Sequence, residues 1–178
     1  PLKSFASIED YIKSLSGTTY GVTIDKKAPL ELKIFVDYLI KSLNGEIIEV
    51  EDEKKSIYHA SACIASNYLV SLVNYALKIN QKIGIPPEQS LKGLIGLIEG
   101  TVSNIKKMGS KKSLTGPIAR GDIGTISEHV ESFRKFFKKK DFNIYQIMGA
   151  ETAMLAHENG WIDKETLKEL LKLFEIPK

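Results

Sequence analysis

The chain has 178 residues, 43% of them apolar and 26% charged, with a formal net charge of +3. That is enough to bury a core as one domain or two small ones, and it falls short of the basic excess of a nucleic-acid binder. The single cysteine, Cys63, excludes an internal disulfide and agrees with a reducing cytoplasm, and no unbroken apolar run approaches the roughly 20 residues that span a bilayer.

Pro1 opens the chain inside a strand-like run with no signal-peptide pattern, as a fragment or a processed chain would. Ser7 caps a short predicted helix over 8–15, whose Ile8, Tyr11, Ile12 and Leu15 keep helical spacing, and Gly17 ends it. Residues 18–24, Thr-Thr-Tyr-Gly-Val-Thr-Ile, read as a strand rich in β-branched side chains. Pro29 opens a second helix with Leu32, Phe35, Val36, Leu39, Ile40 and Leu43 on one stripe. Asn44-Gly45 closes it, and residues 46–50 form the next strand. This alternation argues for parallel strands joined by crossover helices. No G-x-G-x-x-G follows any strand, so the usual dinucleotide fingerprint is not in this chain.

From about residue 51 the pattern is helical throughout. One long helix is expected over 53–82 and another from Pro87 through Leu91, Leu94, Ile95, Ile98, Val102 and Ile105 to Met108, with Gly109 as its stop. A loop follows. Asp122 then starts a helix through Ile126, His129, Val130, Phe133, Phe136 and Phe137, and the run Lys138-Lys139-Lys140 reads as its solvated C-terminus. Residues 143–158 and 163–174 supply two more helices, the last capped by Asp163. The expected architecture is α/β and then all-α, with an α/β piece at 1–52 and a helical piece at 53–178.

Two stretches carry candidate chemistry. Lys55, His59, Cys63 and Asn67 follow one another at intervals of four, which sets them along one slowly drifting helix face. Among apolar neighbours such as Ile64, Leu69 and Val70, a polar face is expected to need partners, and a substrate's hydroxyl, carbonyl or carboxylate supplies them. A plainer account has Lys55 solvated, His59 satisfied in the core and Asn67 bonded to a loop; the spacing leaves both open. Cys63 reads as a small buried apolar residue.

The second stretch is the loop Ser113-Leu-Thr-Gly-Pro-Ile-Ala-Arg-Gly-Asp122. Ser113 and Thr115 offer hydroxyls, Gly116 and Gly121 backbone access, and Arg120 a fork for a carboxylate or phosphate. It reads equally as a rigid helix connection, with Asp122 as cap and Arg120 in a surface ion pair. His129, seven residues beyond Asp122, either faces the same cleft or packs. Three histidines and one cysteine scattered without ligand spacing give no metal site.

The segments Lys55-Ser-Ile-Tyr-His59-Ala-Ser-Ala-Cys-Ile-Ala-Ser-Asn67-Tyr-Leu and Leu114-Thr-Gly-Pro-Ile-Ala-Arg-Gly-Asp122, with Pro1-Leu-Lys-Ser-Phe5, resemble one family. It comprises Rossmann-like oxidoreductase homologues with a C-terminal helical domain of unknown function. They are similar to ketopantoate reductase, pyrroline-5-carboxylate reductase and the 6-phosphogluconate dehydrogenase type, whose C-terminal domain the helical piece would match. The resemblance implies that residues 1–52 are the back half of a Rossmann-like nucleotide-binding domain and 53–178 a helical substrate and dimerisation domain. It implies an NADP or NAD cofactor, with the cofactor-binding residues unassigned because the glycine-rich loop is absent. The expected partners are a small keto acid, hydroxy acid or imine and a second copy of the chain, with no nucleic acid and no membrane, in the cytoplasm. Carried onto this sequence, Lys55 or His59 is the general acid and Asn67 the orienting group, although their spacing departs from that of the relatives. Arg120 clamps a substrate carboxylate, and Ser113, Thr115, Gly116, Asp122 and His129 complete the substrate site. The competing expectation is a catalytically silent binding or dimerisation module on the same fold.

Overall fold

The computed structural model describes residues 2–3 and 14–175, excepting the side chains of residues 139 and 140; the helix expected at 8–15 falls largely outside them. Two short strands, β1 (Thr19–Val22) and β2 (Glu46–Glu49), pair in parallel, with Thr19 opposite Glu46 and Val22 opposite Glu49. Helix α1 (Leu30–Ser42) connects them and starts directly after Pro29, as the sequence implies. It stops where Asn44 turns left-handed at φ 51° and the Gly45 N–H reaches back 2.9 Å to the Ile40 carbonyl. Asparagine tolerates that conformation better than other side-chain-bearing residues do. On the far side of β1 the Leu2 N–H donates to the Thr19 carbonyl at 2.8 Å, so β1 is flanked by backbone on both edges.

After β2 the chain turns helical and stays so. A 3-10 turn (Asp52–Lys54) leads into α2 (Lys55–Cys63), a π turn (Ile64–Tyr68) and α3 (Leu69–Lys82). Tyr58 ties this run to the sheet. Its ring lies over Gly21 of β1, where a Cβ would come within 2.6 Å of the ring and hydroxyl, so only glycine fits. Helix α4 (Pro87–Lys112) leaves helical geometry at Gly109, the expected stop, then completes one more turn.

Three further helices hold the C-terminal core: α5 (Ile123–Phe136), α6 (Lys139–Glu158) and α7 (Lys164–Leu173). Ile126, Ala153, Ala156, Ile162, Leu170 and Phe174 form its buried centre. Beside it Phe133 stacks on Phe142 at 5.0 Å and meets Tyr145 at 4.7 Å. Gln146, 1% exposed, donates 2.9 Å to the Glu175 carbonyl and 3.4 Å to the buried Phe174 carbonyl just beyond α7.

One expectation changes, and two observations stand beside the others. The lysines at 138–140 do not close α5: that helix ends at Phe136, Lys138 precedes α6, and Lys139 lies in the first turn of α6. The dipole argument for a helix C-terminus therefore fails there. The stretch Asp52–Lys82 is long and apolar enough to cross a membrane by length and composition, with mean hydropathy 1.2 in its most apolar window and none of that window buried. Its apolar residues are interspersed with Ser, Ala and Asn, which hides the average from a search for unbroken runs. Finally, the chain divides into two compact units, Pro1–Ala76 and Leu77–Lys178, with the division inside continuous helix α3. The change of composition at 51–53 marks where strands give way to helices, which is a different boundary.

Candidate functional site

In the N-terminal unit the polar series on α2 is exposed, not buried. Lys55 pairs with Asp52 at 2.6 Å across one helical turn and keeps more than half of its side chain accessible. His59 is exposed, and its Nε2 lies 3.6 Å from the Cys63 Sγ. Cys63 itself is half-buried, so the small, buried apolar cysteine of the sequence reading is corrected: one side of the thiol faces the histidine. A surface series of this kind is not forced to find partners by desolvation, which removes the argument that substrate must supply them.

Asn67 sits inside the π turn. At 3.6 residues per turn an i,i+4 series advances about 40° per step, or about 120° from residue 55 to 67. The wider π turn rotates the chain less per residue and cancels part of that drift. Such turns recur at functional sites because they re-aim side chains at a cost in helix regularity.

The N-terminal unit also holds a cleft of about 1110 Å³ at the carboxyl ends of β1 and β2. Its apolar floor includes Val22, Ile24, Val36 and Ile47, and Lys55 is in its wall; His59 and Asn67 are not. In open parallel sheets this edge is where ligands bind.

In the C-terminal unit the loop is anchored by its apolar members. Leu114, Ile118 and Ile123 pack against the buried core, while Thr115 and Arg120 stand exposed. Ser113 is buried, and its hydroxyl donates 2.7 Å to the Gly109 carbonyl, which commits it to the helix end. Gly116 takes φ 93° and Gly121 φ 66°, and a Cβ on Gly121 would meet the Thr166 methyl at 3.0 Å. Asp122 caps α5, accepting from the Thr125 N–H at 3.0 Å and the Thr125 hydroxyl at 2.7 Å. Those two bonds hold its carboxyl below the usual range, and the Arg120 and His129 charges push the same way. His129 is held by the Tyr145 hydroxyl at 2.8 Å. Arg120, Asp122 and His129 are thus electrostatic neighbours, and Arg120 forms no ion pair among the described residues.

The DUF2520 family profile, a domain of unknown function, matches residues 18–152. The chain belongs to the DUF2520 family. Among solved structures, protein TM1727 from Thermotoga maritima is similar to this DUF2520 chain with a TM-score of 0.63 at 27% identity. The match covers 94% of this chain and 59% of the Thermotoga protein, so the chain spans well under two thirds of that length. No curated protein matches it. The likeness to that structure is consistent with a small parallel β-α-β start followed by a helical part.

Among the described residues no group of three or more His, Cys, Asp or Glu is arranged to hold a metal ion. The residues that sequence reasoning passed over are the cleft lysines, Lys26, Lys27 and Lys33. Their signal was available: Asp25-Lys26-Lys27 directly follows a strand and precedes the Pro29 helix start, so the loop belongs on the ligand-bearing edge of a parallel pair.

Proposed function

We propose that this DUF2520 chain forms the C-terminal part of an NAD(P)-dependent oxidoreductase acting on a small keto acid, hydroxy acid or imine. The observation that carries the reading is Lys55: it stands in the wall of the cleft at the strand ends and opens the helix that bears His59 and the π-turn Asn67. The resemblance to ketopantoate reductase, pyrroline-5-carboxylate reductase and the 6-phosphogluconate dehydrogenase type supports the same assignment. Neither β1 nor β2 is followed by a glycine-rich turn, so the residues present do not make a dinucleotide site and none is assigned to the cofactor. A nicotinamide, when bound, supplies or accepts the hydride.

What the chain's own residues contribute is proton handling and orientation. Lys55 or His59 gives a proton to the carbonyl oxygen as it becomes a hydroxyl, and Asn67 orients that oxygen through its amide. In the C-terminal unit, taken by itself, Arg120 offers a fork for a carboxylate, beside the Thr115 hydroxyl and the Gly116 backbone. The second reading, a silent dimerisation module, is favoured by a different observation. The same helical stretch exposes Ile57 at 71%, Ile64 at 59% and Val70 at 68%.

The test is oxidation of NADPH and NADH by the full-length protein across a panel of keto acids and imines, repeated with His59→Ala and Arg120→Ala. Loss of a general acid lowers turnover by roughly 10²–10⁴-fold. Unchanged turnover in both variants would remove the proposed roles, and failure to bind either nicotinamide would leave the silent module.

A further inference from the structure

Helix α4 carries an apolar stripe that the reading above does not use. Leu91, Ile95, Ile98, Val102 and Ile105 follow one another at steps of four, three, four and three residues. That repeat averages 3.5 residues, the period at which a helix keeps one seam turned toward another helix wound around it. Helical geometry is unbroken through all five, since the departure at Gly109 lies beyond them. Yet the seam is uncovered. Leu91, Ile95, Val102 and Ile105 are each between 40% and 43% exposed, and Ser90 is the sole buried residue of α4 among the described residues. A contiguous apolar stripe of this kind marks a contact surface.

The charges beside the seam choose its occupant. Lys92 and Glu99 each stand one residue past a seam position, on one flank. Both are exposed, and neither forms an ion pair among the described residues. The other flank, Leu94, Thr101 and Met108, carries no charge. In a parallel helix pair unlike flanks face each other, which leaves Lys92 and Glu99 without partners. In an antiparallel pair like flanks meet. With Leu91 set against Val102 and Ile95 against Ile98 of the opposite helix, Lys92 meets Glu99 and Glu99 meets Lys92. Sliding by seven residues would bring Lys92 to Lys106 and Glu99 to Glu99, like charges that oppose that register. The surface is therefore complementary to itself in one direction and one register, as a two-fold pair of identical chains requires. We infer that α4 packs antiparallel against α4 of a second copy of this chain, in the register that joins Lys92 to Glu99 twice.

Association of the whole chain is followed by sedimentation equilibrium without nicotinamide or substrate, so the outcome is independent of the oxidoreductase reading. The charges that are changed lie on α4, which separates their effect from any association through Asp52–Lys82. Lys92→Glu and Glu99→Lys, made singly, set like charges together at both contacts, and each is expected to weaken the dimer about tenfold. Mixing the two variants, or combining both changes in one chain, brings opposite charges together again and is expected to recover wild-type association. Ile95→Asp, in the seam itself, is expected to weaken the dimer further. All three side chains are exposed, so the fold of the single chain is kept, and circular dichroism checks it. Three results overturn the proposal: monomer at every concentration, a dimer indifferent to the single reversals or to Ile95→Asp, or weakening that neither the mixture nor the double variant recovers.

Discussion

Asp122 joins stability and site at the scale of one residue. Its carboxylate accepts two bonds from Thr125, and Asp163 accepts the Thr166 N–H in the same way at 2.8 Å. In both, the bond from the backbone N–H leads in holding the carboxyl below its ordinary value. A carboxyl with a depressed folded value contributes stability above its unfolded value of about 3.9, and loses it as pH falls through the folded value. The Asp122→Asn variant keeps a cap but cannot titrate, so its unfolding midpoint should change less than the wild type's between pH 5 and pH 2. Parallel pH dependences in thermal melts would exclude Asp122 as a contributor. The cap was legible because a cap is local: Asp followed three residues later by a donor. The hold of Tyr145 on His129 was not, since it spans 16 residues between two helices. Gly121 is legible only as a loop glycine. Its left-handed φ and the Thr166 methyl at 3.0 Å together predict that Gly121→Ala costs roughly 1–3 kcal/mol in urea unfolding. A change under a few tenths would mean that the turn relaxes freely.

At the scale of elements, sequence periodicity recovered β1, β2 and the described α-helices, with α6 begun four residues late, because each is amphipathic or bounded by Pro, Gly, Asn or Asp. It missed the π turn at Ile64–Tyr68, since one extra residue in a helical turn leaves no punctuation in a run of Ile, Ala, Ser, Asn and Tyr. It also missed how α6 and α7 close. Gln146 looks like any polar position on α6, yet it is buried and its amide reaches the chain just past the end of α7. Replacing Gln146 with Ala takes a donor from the buried Phe174 carbonyl and opens a void, so the urea midpoint should fall by the equivalent of roughly 1–3 kcal/mol. Gln146→Glu brings a second acceptor toward the carbonyl and should be no better. Wild-type stability in either variant would show that another group satisfies the helix end.

For the whole molecule the open question is what covers the helical stretch from Asp52 to Lys82, none of whose most apolar window is buried. Ile57, Ile64, Tyr68 and Val70 are each between 58% and 71% exposed. At about 1.5–3 kcal/mol for full burial of such a side chain, covering the exposed part of these four contributes roughly 4–8 kcal/mol per copy, or roughly 8–15 kcal/mol for both copies of a dimer. Association costs about 4–15 kcal/mol in lost freedom, so these contacts alone sit near balance. A second copy of the chain, if it is the cover, should therefore form a concentration-dependent dimer. We predict a reversible monomer–dimer equilibrium in sedimentation experiments without detergent, shifted to monomer by Ile64→Asp and again by Val70→Asp. Both side chains are exposed, so neither change should lower the monomer's melting temperature much. Monomer at every concentration, or association indifferent to both substitutions, removes the dimer. Flotation of the wild-type chain with phospholipid vesicles, lost in the same two variants, would instead assign the exposed stretch to a membrane.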